Sequence, residues 1–218
     1  MTHIAVIDYG MGNLHSVAKA LEHVSVRSGL QAKVSVTADP MILRDADRLV
    51  FPGVGAMRDC MAEIRHLCID EILREQVREK PVLAICVGMQ ALMQHSEENN
   101  GVDCIGLFAG NVRRFPEHQK DANCNVLKVP HMGWNRVRQV TPHPMWQHIP
   151  DNDYFYFVHS YFVDPHSPVE IMGQSDYPDP FCVALSHRNI FAVQFHPEKS
   201  QRNGLQLYEN FLTWNGQP

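Results

Sequence analysis

The sequence lacks the patterns that several protein classes require. Its six cysteines, Cys60, Cys68, Cys86, Cys104, Cys124 and Cys182, include no Cys-x-x-Cys pair. Zinc-ribbon and thioredoxin-like readings therefore have no signature. His-Glu-x-x-His is absent. His196-Pro197-Glu198 opens like a zinc deaminase motif, but no cysteine lies beyond Cys182 to complete one. No metal site is expected. Gly10-Met11-Gly12 has His15 where a dinucleotide loop places its third glycine, and there is no Walker loop, so no cofactor is expected. Long apolar runs are missing too. The run at residues 4–7 has no basic segment before it, and it is too short for a signal peptide or a membrane span. No basic patch dominates a chain of formal net charge −5, which argues against non-specific nucleic-acid binding. No Pro/Gly/Ser-rich linker, charge block, repeat or low-complexity tract divides the chain. With 218 residues, 44% hydrophobic and 20% charged, it reads as one soluble globular domain, residues 1–218, in the cytoplasm. Its thiols are then reduced and serve mostly as packing.

What is present is alternation. Residues 4–7 read as a buried strand, 33–36 and 48–51 as further strands, and 82–85 as an apolar strand run. Helical patterns lie between them, from Leu14, through Met57, Met61 and Ile64, through Ile72, Leu73 and Val77 with Asp70 as N-cap, and over residues 88–94. This implies an α/β fold with a mostly parallel sheet covered by helices on both faces. The second half reads as strands at residues 127–129, 136–140, 154–163, 170–173, 181–185 and 190–194, with turns short enough for antiparallel additions. A last helix covers residues 204–214. The polar segment 111–125 reads as a loop or irregular hairpin of no evident role.

In such a sheet, ligands bind beyond the carboxyl ends of the parallel strands. Asp8 to Asn13, Pro52 to Gly55 and Cys86 to Gly88 leave such ends. Ala84-Ile85-Cys86-Val87-Gly88 has the small-x-nucleophile-x-small form of a nucleophile elbow, with glycine fitting better than alanine. The elbow exposes the sulfur at a helix start, where free N–H groups favour a thiolate. A buried cysteine ending a strand by chance fits the pentapeptide equally well. A thiolate performing acyl transfer needs a base held by a third group. His196 and Glu198, two apart across Pro197, can lie on one side of an extended segment. The chain has 13 histidines, so His196 alone would carry little weight.

Taken together, the Cys86 elbow and the distant His196-Pro197-Glu198 resemble the class I (triad) glutamine amidotransferases. Four more segments narrow the resemblance: Asp8-Tyr9-Gly10-Met11-Gly12-Asn13-Leu14, Phe51-Pro52-Gly53-Val54-Gly55-Ala56, Val129-Pro130-His131-Met132-Gly133-Trp134-Asn135 and Tyr156-Phe157-Val158-His159-Ser160-Tyr161. They are similar, essentially end to end, to the glutaminase subunits of imidazole glycerol phosphate synthases. Ala84 and Val87 depart from the usual glycine and leucine, yet neither removes the nucleophile or a backbone N–H. The resemblance implies a flavodoxin-like three-layer fold and a Cys86, His196, Glu198 triad. It implies oxyanion donors at Val87 and at Val54, whose peptide must turn inward between two glycines. It implies glutamine binding by Gly55, Gln90, Ser160 and Tyr161. It also implies a heterodimer with a (β/α)₈ cyclase subunit. That subunit uses the ammonia to make imidazole glycerol phosphate and aminoimidazole carboxamide ribotide in histidine biosynthesis. Asn13, Met132, Trp134, Tyr156 and Lys199 match positions that face the cyclase. Read alone, Met132 and Trp134 fit ordinary core.

Two other readings use the same residues. A free-standing cysteine hydrolase, of γ-glutamyl hydrolase or peptidase type, would use Cys86 and His196 and need no partner. A redox-sensing protein would use the elbow cysteine but need neither Glu198 nor a glutamine pocket.

Overall fold

The computed structural model describes residues 1–120 and 123–217. Its first half is β1 (Thr2–Ile7), α1 (Leu14–Arg27), β2 (Ala32–Thr37), α2 (Pro40–Asp45), β3 (Arg48–Gly53), α3 (Met57–His66), α4 (Ile69–Gln76), β4 (Val82–Cys86) and α5 (Val87–Ala91). Then follow β5 (His95–Ser96), β6 (Val102–Asp103), β7 (Gly110–Arg114), β8 (His131–Gln139), β9 (Asp153–His159), β10 (Tyr161–Pro165), β11 (Ile171–Asp176), β12 (Pro180–His187), β13 (Ile190–Val193) and α6 (Gln201–Thr213). The main sheet runs β2-β1-β3-β4-β13-β12-β10-β7-β5-β6. Strands β2, β1, β3, β4 and β13 are parallel, and helices cover both faces. Every residue of β4 and β13 is buried. Strands covered on two faces need continuous apolar runs, and both sequences supply them.

Several expectations need correction. The strand at 190–194 was read as an antiparallel addition. It pairs antiparallel with β12 but parallel with β4, so it is the fifth parallel strand. Residues 127–129 form no strand; beside them only an isolated Lys120–Val126 bridge occurs. Residues 111–114 are not loop but part of β7, paired with β10. The rest of that polar segment includes residues 121 and 122, which lie outside the described residues. The strand read at 154–163 breaks at Ser160, because β9 pairs with β8 whereas β10 pairs with β7 and β12. Strand β8 begins at His131, five residues earlier than its apolar alternation suggested. Its pairing with β9 starts there, His131 against His159. Cys68, in a left-handed conformation, is the N-cap of α4, and Asp70 lies in the first turn. Helix α2 was not anticipated, although Asp39-Pro40 is a helix-start signature. The Asp39 side chain accepts from the Met41 N–H at 2.8 Å. Among the described residues no helix is long and apolar enough to cross a membrane.

Inward positions of β9, Phe155, Phe157 and His159, join an aromatic core, with Phe155 and Phe195 ring centroids 4.1 Å apart. Among the described residues four histidines are buried, His131, His143, His159 and His196, and the first three have no carboxylate partner. Burial pushes His131 and His143 down to about 4 and His159 to about 3. Unfolded histidines titrate near 6.5. Between those limits the unfolded chain binds more protons, so stability rises with pH across the window. It is complete above about pH 6.5 and lost as pH falls toward about 4 and then about 3. Urea-unfolding midpoints should therefore fall steadily from pH 7 to about pH 4.5. A midpoint that stays constant or rises on acidification contradicts these buried neutral rings.

Candidate active site

Three parallel strands end side by side, and this convergence makes the site. In the β3–β4 ladder Gly53 is opposite Cys86, so Val54 and Gly55 leave the sheet beside the elbow. In the β13–β4 ladder Val193 is opposite Ile85, so Gln194 to His196 emerge on the other side. Cys86 has φ 55° and ψ −111°, a conformation L-residues avoid. Such strain costs on the order of 1–3 kcal/mol and persists only where surroundings enforce it. One enforcing contact is at Gly88, where a Cβ would run into the Phe51 carbonyl oxygen. The absence of a side chain lets α5 start hard against β3, with the Val87 N–H beside the sulfur's turn. The alanine at 84 is fully buried without difficulty.

His196 and Glu198 are brought together by a 3₁₀ turn at Pro197–Lys199. His196 Nδ1 lies 2.9 Å from Glu198 Oε1, with both side chains almost wholly buried. A carboxylate only accepts, so Nδ1 carries the proton and Nε2 is the nitrogen left for the cavity. The His196 carbonyl is pinned by the Ser200 hydroxyl at 2.7 Å. Burial alone would push the imidazolium down. The Cys86 sulfur and the Glu198 carboxylate outweigh it and raise His196 to about 10. Burial also pushes the Cys60 thiol up to about 11 and Cys104 to about 12, and raises Cys182. All six cysteines are free.

A cavity of about 350 Å³ opens here, within the usual range for a small-molecule site. Of the residues named from sequence, Val54, Gly55, Cys86, Val87, Gln90, Ser160, Tyr161 and His196 all line it, and Glu198 stands behind His196. Sequence reading missed Glu98, Pro130, Val158 and His159 on its wall. Glu98 lies in the polar run Glu97-Glu98-Asn99-Asn100, which looks like solvated loop. It is half-buried, accepts the Met57 N–H at 3.0 Å, and has its carboxyl raised by burial. Among the described residues it is the carboxylate on the cavity wall, suited to an ammonium group. No cluster of three or more metal-ligating side chains occurs among the described residues.

Four of the five residues expected to face a partner form one patch. Trp134 and Tyr156 are cross-strand neighbours with ring centroids 5.9 Å apart, and Lys199 Nζ lies 5.7 Å over the Tyr156 ring. Met132 and Trp134 are 64% and 46% exposed, so the core reading of these two residues is wrong. Residues 132, 134, 136 and 138 share the outward face of β8, while His131 and Val137 turn inward. Asn13 precedes α1 and borders a small space also lined by His196 and Glu198.

Residues 5–214 match the family model of glutamine amidotransferase class-I. Imidazole glycerol phosphate synthase subunit HisH of Pseudomonas putida is 57% identical over 216 residues, covering 99% of both chains. The subunit of that name from Acinetobacter baylyi is 56% identical, covering 99% of this chain and all of its own. Among solved structures, a glutamine amidotransferase aligns with TM-score 0.68 at 17% identity, covering 96% of both chains. Another, from Thermotoga maritima, aligns with TM-score 0.59 at 15% identity, covering 97% of this chain and 82% of that one. These two share the fold. The chain belongs to the class-I glutamine amidotransferases and, within them, to the family of imidazole glycerol phosphate synthase subunit HisH.

Proposed function

We propose that this chain is the glutaminase of imidazole glycerol phosphate synthase, with Cys86, His196 and Glu198 as its triad. One observation carries the assignment of residues: Cys86 is strained at an elbow on a cavity that also holds His196, whose Nδ1 is bound to Glu198. The Cys86 sulfur attacks the side-chain amide carbon of glutamine. The Val87 N–H, and the Val54 N–H once its peptide turns inward, meet the oxyanion. His196 Nε2 takes the Cys86 thiol proton and gives it to the departing ammonia as the C–N bond breaks, leaving a γ-glutamyl thioester. Water, deprotonated by His196, then releases glutamate and restores the thiol. Gly55, Gln90, Ser160 and Tyr161 hold the glutamine, and Glu98 faces its ammonium group.

The ammonia passes to a (β/α)₈ cyclase subunit bound over the patch of Met132, Trp134, Tyr156 and Lys199, with Asn13 near the passage. Exposed aromatic and Met side chains in one patch fit such a contact. The pair works in the cytoplasm, in keeping with the free thiols. The test is a glutaminase assay of the chain alone, with cyclase, and with cyclase plus its nucleotide substrate. One missing oxyanion donor costs roughly 10²–10³ in rate. The loaded complex should exceed the lone chain by at least about that factor, and amide ¹⁵N from glutamine should appear in the imidazole product. Equal rates in all three samples would mean a preformed oxyanion hole and would favour the free-standing hydrolase.

A further inference from the structure

A continuous hydrogen-bond chain reaches the nucleophile through Gln194, two residues before His196 at the end of β13. It starts at the Tyr161 carbonyl, which is always an acceptor. Gln90 Nε2 donates to it at 2.9 Å and also donates to Gln194 Oε1 at 2.9 Å. Gln194 Nε2 in turn donates to Cys86 Sγ at 3.7 Å. Turning the Gln194 amide over would set two NH₂ groups against each other. Turning Gln90 over as well would set its oxygen against the Tyr161 oxygen. Only one orientation satisfies all three contacts, and it ends with an N–H on the sulfur.

The same carbonyl is held from its other side. His159 Nδ1 donates to it at 2.8 Å, so His159 Nε2 is the acceptor for His131 Nδ1 at 2.9 Å. His131 Nε2 accepts from Asn135 Nδ2 at 3.2 Å. Both rings are buried and neutral at physiological pH, so the direction of the chain is constant there. Gln194 is fully buried, and its partner Gln90 has spent both amide hydrogens, leaving only Oε1 for a ligand.

We propose that Gln194 is a positioning residue for the nucleophile: its amide, aimed by Gln90 and the Tyr161 carbonyl, donates to the Cys86 sulfur and holds it for attack. The proposal deepens the glutaminase reading and rests on Cys86 as its nucleophile. A donor on sulfur favours the thiolate, since a charged acceptor gains about twice as much as a neutral one.

The experiment is alkylation of the full chain by iodoacetamide across a pH series, read at Cys86 by peptide mass spectrometry. Gln194→Met keeps length and removes the donor. Gln194→Glu keeps the shape and the acceptor for Gln90 but sets a carboxylate beside the sulfur. The other titratable neighbours of that sulfur, His196, Cys60 and Tyr9, are unchanged in both. Thermal melting identifies which variants are folded. Alkylation at pH 7 should slow by roughly tenfold or more in Gln194→Met, with its profile moved to higher pH. Gln194→Glu should be slowed at least as much despite its closer shape. Altered access changes the rate but not the position of the profile, so the shift separates donation from packing. In glutamine turnover, kcat should fall more than KM rises. A wild-type alkylation profile in either folded variant overturns the role of Gln194. Failure of the wild-type chain to label first at Cys86 overturns the nucleophile reading and this proposal with it.

Discussion

Cys86→Ala is expected to lower glutamine hydrolysis by at least about 10⁴-fold, the scale on which loss of a covalent nucleophile acts. No neighbouring group can replace it. Cys60 and Cys182 are buried thiols held up by desolvation, and Cys68 lies at the start of α4 on the exposed surface. Cys60→Ala, Cys68→Ala and Cys182→Ala should each leave substantial activity. A glutamine-analogue electrophile should label Cys86 before any other cysteine. Activity surviving in Cys86→Ala, or first labelling elsewhere, would sink the assignment. The strain at Cys86 adds a stability readout. If φ 55° costs 1–3 kcal/mol, Cys86→Gly should melt at or above the wild-type temperature while remaining inactive.

His196→Ala is expected to cut glutamine turnover by roughly 10²–10⁴-fold, the usual worth of a positioned acid–base group. Ammonia supplied directly should still support the cyclase reaction in the complex, because only ammonia production is lost. Loss of that ammonia-dependent reaction as well would make His196 structural. Glu198→Gln should be milder, since the amide oxygen can still accept the Nδ1 proton. It removes one of the two groups that raise His196, however. In the wild type the imidazolium is lost only as pH rises toward about 10. In Glu198→Gln the alkaline limb of the rate profile should move to lower pH. An unmoved limb would mean that Glu198 contributes no charge to the base.

Much of the parallel half was legible because a strand covered on both faces must be a short apolar run, and residues 4–7, 49–51 and 82–85 are such runs. The elbow was legible for a related reason. A sharp strand-to-helix turn tolerates only small residues two positions from its apex, and Gly88 shows why, since a Cβ there would meet the Phe51 carbonyl. Strand partners were not legible. Residues 190–194 have the same local pattern whether parallel or antiparallel, and β13 is both at once. The break at Ser160 was invisible, because the change of partner from β8 to β7 and β12 leaves the alternation of side chains intact.

Local pattern, then, was sufficient for the α/β class, and it marked the turn at Cys86 and the spacing of His196 and Glu198 as candidates, which only the family resemblance joined into a triad. Tertiary structure alone decided the rest. Glu98 reads as solvated loop until its chain folds over the cavity. Met132 and Trp134 read as core until β8 pairs with β9 and turns them outward. Gln194 reads as a polar interruption of a strand end until Gln90 and the Tyr161 carbonyl, 104 residues away for Gln90, fix which way its amide points. The direction of a hydrogen bond depends on its partner's chemistry, and partners distant in sequence are assigned only by the completed fold.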